Sequence, residues 1–201
     1  MSDLIMYFEK GGLVMWPLLV CSIFVIYVAF DRFIYYKSID IGKAFVQKYC
    51  DLISNNQLDE ATQLAKKDNS GYARILVNAA PLDSSDKVEA FIQMKAGIVM
   101  ASLRDKLNYL NVIVTLSPLL GLLGTIVGMI TTFSIFNLKA GEPMAITSGI
   151  GEALIATATG LCVAILALCV HSYFAHRLDK IITDMERCFS ALIDLKVRGG
   201  I

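Results

Sequence analysis

Three stretches of this chain carry no charged side chain for long enough to cross a lipid bilayer, and that leaves few folds open. They run from Gly11 to Phe30, from Leu107 to Leu138 and from Ala153 to Val170, the last extending to Ala175 through His171. About 20 apolar residues cross about 30 Å of hydrocarbon as a helix. The second window exceeds that need, so one end is expected to tilt or project. Of 201 residues 56% are hydrophobic and only 18% charged, whereas a soluble domain carries about 25% charged residues. Eighteen basic and eighteen acidic residues cancel, so no net charge argues for nucleic acid. The natural partner of these surfaces is membrane lipid. The first window is read as a retained span, because Asp3 and Glu9 precede it beside Lys10 and no small-x-small cleavage site follows Ala29.

Basic residues set the orientation. Lys10 precedes the first window and Lys139 separates the second from the third, while eleven lie between the first two and five follow the last. Positive charge stays in the cytoplasm. The expected layout is a periplasmic N-terminus (1–10), transmembrane helix 1 (11–30), a cytoplasmic helical region (31–106) and transmembrane helix 2 (107–138). A periplasmic loop (139–147), transmembrane helix 3 (148–175) and a cytoplasmic C-terminal helix (176–201) follow.

The segment 31–106 is the only sizeable soluble part. Ala44, Phe45, Tyr49 and Ile53 share one side of a helix over 42–53, and Leu58, Ala61, Leu64 and Ala65 one side of a helix over 58–67. Asp86 with Glu89 reads as a helix start, from which helical pattern runs into the second window with Gly97 as its weak point. Beyond the third window, Leu178, Ile181, Ile182, Met185, Phe189, Leu192 and Ile193 form an amphipathic stripe. No nucleotide or hydrolase motif occurs, so an enzyme is not expected, and no cofactor is called for. The five cysteines lack metal spacing and read as packing residues. His171 and His176 are five apart, point in different directions, and read as interfacial side chains, not metal ligands.

Glu152 is the best clue to function. It heads the third apolar run, where a carboxylate at the bilayer centre would cost about 2.5–3.5 kcal/mol on insertion scales. Chains keep such a group where it meets water, a partner charge or a moving ion. A plain alternative is that it decorates the start of its own helix, with Ser148 and Gly149 as caps, where the dipole favours negative charge. Thr159 falls almost beneath Glu152 on a helical wheel and Thr157 on a neighbouring face. Ser117, next to the helix-loosening Pro118, is a further candidate for a wet path. Small residues make two rows: Gly121, Thr125 and Gly128 with Gly124 beside them, and Ala153, Thr157, Gly160, Ala164 and Ala167. In lipid such faces let helices approach closely, and simple packing accounts for both rows.

The strings PLLGLLGTIVGM (118–129) and GEALIATATGLCVA (151–164) resemble the ExbB/TolQ family, bacterial inner-membrane channel subunits related to the flagellar stator protein MotA. The three spans, the N-out orientation and the insertion after the first span match as well. The resemblance implies an all-α membrane protein with three transmembrane helices, two of them extended into a helical cytoplasmic region. It implies a homopentamer around two copies of an ExbD/TolR-like single-span protein carrying a membrane Asp, and a TonB- or TolA-like energy transducer. It also places Glu152, Thr125 and Thr157 on the proton pathway. A proline usual in the third helix is replaced by Leu166, so a straighter helix is expected. Other classes fit less well: a scaffold would leave Glu152 without a role, a solute carrier usually shows duplicated halves, and no intramembrane protease arrangement occurs.

Overall fold

The computed structural model describes residues 11–68, 71–138 and 143–199. The expected periplasmic stretch 1–10, and Lys139 with its neighbours to 142, lie outside the described residues. Among the described residues six helices follow in order: α1 (Met15–Ile39), α2 (Lys43–Ser54), α3 (Leu58–Lys67), α4 (Ala73–Ala79), α5 (Ser85–Leu138) and α6 (Pro143–Arg198). No strand occurs among the described residues. Three helices are long and apolar enough to cross a membrane. This is an all-α membrane protein.

The long helices obey local rules. Pro17 sits in the first turn of α1, where its missing N–H removes no helical bond. Helix α5 continues for 54 residues past Gly97 and Pro118, and α6 for 56 residues past Leu166. The expected start of α5 needs correcting. Its first helical residue is Ser85, and Val88 N–H donates to Ser84 O at 3.0 Å, so Asp86 lies inside the first turn. Glu89 does not reach back; it accepts from Gln93 Nε2 at 2.9 Å.

The chain divides into two compact units: residues up to Phe30 with Asn108–Tyr173, and Asp31–Leu107 with Phe174 onward. In the first unit Leu18, Val25, Val28 and Leu110 are buried large residues, but the faces of α5 and α6 that meet are small. Buried positions hold Gly121, Gly124, Gly128, Ala153, Ala156, Gly160 and Ala167, while Leu119, Ile126, Phe133, Leu154 and Ile165 are exposed. Small residues inside and large aliphatic ones outside are what helix packing in lipid requires. At one end Val14, Met15 and Leu18 of α1 pack with Leu120 of α5 and Ile155 of α6.

The second unit has a conventional core. The stripe on α6 buries Leu178, Ile181, Ile182, Met185, Phe189 and Leu192, and Tyr36, Tyr49, Tyr72 and Leu76 are fully buried as well. Burial pushes the Tyr72 phenol well above its usual range, helped by the nearby Cys188 and Asp184. The short α4 has no counterpart in the sequence reading; seven residues are too few for periodicity to show. Helix α2 ends in a Schellman turn on an asparagine: Asn56 has φ 60, its N–H donates to Ile53 O, and Gln57 N–H donates to Leu52 O.

Charge inside this unit is concentrated where α1 meets α5. Arg32 is buried, and its Nη1 donates to Ser102 O at 2.9 Å and Leu103 O at 3.3 Å. Tyr36 Oη donates to the same Leu103 carbonyl at 3.0 Å. Asp31 accepts from Arg32 Nε at 3.1 Å and from Lys106 Nζ at 2.7 Å.

Candidate functional site

Glu152 stands nine residues into α6, because that helix begins at Pro143, and nine residues exceed two helical turns. Pro143 suits a first helical position, where no N–H is needed. The alternative that Glu152 merely decorates its own helix start is therefore corrected: Ser148 and Gly149 are themselves inside α6. Glu152 is half-buried. Its carboxylate lies against Gly12, in the turn that leads into α1, so closely that a Cβ on Gly12 would collide with Glu152 Oε1.

The hydroxyls follow along the helices. Thr157 Oγ1 crosses to α5 and donates to Gly121 O at 3.2 Å. Thr159 Oγ1 donates to Ile155 O at 2.9 Å, and Thr125 Oγ1 to Leu122 O at 2.7 Å, each within its own helix. Thr125 and Thr157 are thus both bonded to α5 carbonyls, not to one another. Ser117 is fully buried, and its Oγ has no hydrogen-bond partner. Leaving a buried hydroxyl unmatched costs about 1–3 kcal/mol, so this position is set by the packing around it.

That packing is very close. A Cβ on Gly160 would stand 2.6 Å from Ser117 O, and one on Gly121 would stand 3.1 Å from Thr157 Cα. Gly124 faces Ala156 Cβ, and Gly128 faces Ala153 Cβ and Gly149 O. The glycine row of α5 therefore closes on α6 of the same chain. Helix α6 answers with Ala153, Ala156, Gly160, Ala164 and Ala167, all buried, while Thr157 is half-buried at the edge of the seam. Sequence reasoning missed Ala156, Gly149 and Thr132, which sits against Gly149 and donates to Gly128 O at 2.7 Å. Carrying the spacing of four and three upstream from Gly160 would have added Ala156 and Gly149 to Ala153. Nothing in the sequence marks Gly12 beyond its place at the edge of an apolar run.

Chemically, one carboxylate stands beside the turn into α1, and three hydroxyls are carried by the two membrane-length helices, one of them crossing the seam. Such a group is able to exchange a proton or hold a cation.

The MotA/TolQ/ExbB proton channel family matches residues 55–187. A Synechocystis sp. protein named biopolymer transport protein ExbB-like 1 is 36% identical over 177 residues, 81% of this chain and 67% of that protein. The biopolymer transport protein exbB1 of Vibrio cholerae is 26% identical over 186 residues, covering 89% of this chain and 82% of its own length. The Tol-Pal system protein TolQ of Haemophilus influenzae is 34% identical over 84 residues, 41% of this chain and 37% of TolQ. With the seam of α5 and α6 inside the matched range, these findings show that the chain belongs to the MotA/TolQ/ExbB proton channel family.

Proposed function

We propose that this chain is the proton-channel subunit of an inner-membrane motor that uses the proton motive force to energise outer-membrane transport through a TonB-like protein. The observation that supports this most is a carboxylate, Glu152, held well inside a membrane-length helix in a chain of a proton channel family. In this reading the N-terminus and the 139–147 loop are periplasmic, and 31–106 and the C-terminal part of α6 are cytoplasmic. The subunits form a ring, proposed to be a pentamer, around an ExbD/TolR-like span carrying an aspartate. A charge crossing 100 mV gains about 2.3 kcal/mol, enough to bias stepwise movement of that partner once its carboxylate is neutralised. Glu152, Thr157 and Thr125 serve the pathway, with Thr159 and Ser117 along its margins. The match to TolQ supports a second reading with the same chemistry, in which the work goes through a TolA-like protein to envelope integrity.

Reconstituting the chain with its single-span partner in proteoliposomes and imposing a proton gradient tests the proposal. Glu152→Gln and Thr157→Val are expected to lower proton flux at least about tenfold, the scale of a lost proton-transfer group. Assembly should stay intact, because an interhelical hydrogen bond in a membrane is worth only about 0.6 kcal/mol. Wild-type flux in both variants would remove Glu152 and Thr157 from the pathway, and no flux from the wild-type chain with its partner would leave a non-conducting scaffold as the better description.

A further inference from the structure

The contact between Glu152 and Gly12 deepens the proposed function and rests on it. Gly12 has φ +72, in the left-handed region where glycine is at ease and most L-residues are strained. Its missing side chain is also the space that Glu152 Oε1 fills. The turn has no room to withdraw. Gly12 O accepts from Met15 N–H at 3.2 Å, and Leu13 O accepts from Trp16 N–H at 3.4 Å, which ties the turn to α1. Val14 and Met15 are buried against Leu120 and Ile155, and a Cβ on Gly124 would lie 3.6 Å from Val14 Cβ. Since Ile155 is less than one turn from Glu152, the start of α1 is pinned beside the carboxylate. The amino-terminal end of a helix also carries partial positive charge, which favours a carboxylate there.

We infer that Gly12 is a positioning residue for Glu152, admitting its carboxylate to the first turn of α1 and fixing where the proton pathway begins. A side chain at position 12 must push the carboxylate off that turn.

Thermal unfolding of the assembled protein in detergent and proton flux with the partner test this together. Gly12→Ala is expected to lower the unfolding temperature and to cut flux about tenfold, the scale of an overpacked contact. Gly42→Ala measures strain alone, because Gly42 has φ +85 and nothing within 4 Å of its Cβ position. The decisive comparison is a pair of cycles. In a Glu152→Ala background the thermal cost of Gly12→Ala should shrink to that of Gly42→Ala, and Glu152→Asp, shorter by one methylene, should restore flux to Gly12→Ala. An unchanged thermal cost in the Glu152→Ala background, or no rescue by Asp, overturns the inference. Full flux in Glu152→Gln would instead remove Glu152 from the proposed pathway while leaving the thermal cycle standing.

Discussion

Leucine at Gly160 is expected to abolish stable packing of α5 against α6. The obstruction is main chain: a Cβ there would stand 2.6 Å from Ser117 O and 3.0 Å from Gly121 Cα. Flexible side chains can swing away from an added group, but helix backbones can only separate. Separation would also loosen the contacts of Gly121 with Thr157 and of Gly124 with Ala156, which lie along the same seam. Overpacking costs about 1–3 kcal/mol where side chains can adjust, and this case exceeds that range because they cannot. The check is denaturant or thermal unfolding of the detergent-solubilised protein. Gly97→Ala, in α5, is the internal contrast: nothing lies within 4 Å of its Cβ position. That substitution should stabilise by about 0.5–1 kcal/mol through backbone entropy. A Gly160→Leu protein that unfolds with the wild type would mean that the two helices do not meet here.

Arg32→Ala is the second change with a large expected effect. The guanidinium is 5% exposed and bonds two carbonyls of α5 together with Asp31. It also stacks on Tyr35, with Cζ 4.8 Å from the ring centre. Hydrogen bonds to charged groups contribute about 1.5–3 kcal/mol, and the lost stem leaves a cavity beside Tyr36. Arg32→Lys should recover little, because an ammonium cannot hold Asp31 as Nε does while a second nitrogen bonds Ser102 O and Leu103 O. Lys106→Ala should cost under about 1 kcal/mol, since that partner of Asp31 is partly solvated. Equal losses from Arg32→Ala and Lys106→Ala in unfolding experiments would refute the ranking.

The reasons for what was legible in the chain are visible in particular residues. The apolar windows and the stripe from Leu178 to Leu192 were readable because burial repeats with the helical period over many turns. So was the small-residue seam, since Gly121, Gly124 and Gly128 have no other purpose in a run of leucines. Helix α4 escaped because seven residues hold barely two turns. The start of α5 was misplaced by two residues because Ser84, Ser85 and Asp86 all favour helix starts. Glu152 stood out as a charge, but which neighbour it meets depends on Gly12, some 140 residues away, and no local pattern encodes that.

Thr125, Thr157 and Thr159 have each given their only hydroxyl hydrogen to a main-chain carbonyl. What they present to the proposed route is therefore lone pairs alone. A lining of this polarity welcomes a neutral carboxylic acid or a hydrated proton and offers nothing to a bare anion. In a rotating or sliding assembly it would work as a protonation filter, letting the partner's aspartic acid glide past only after it has been loaded.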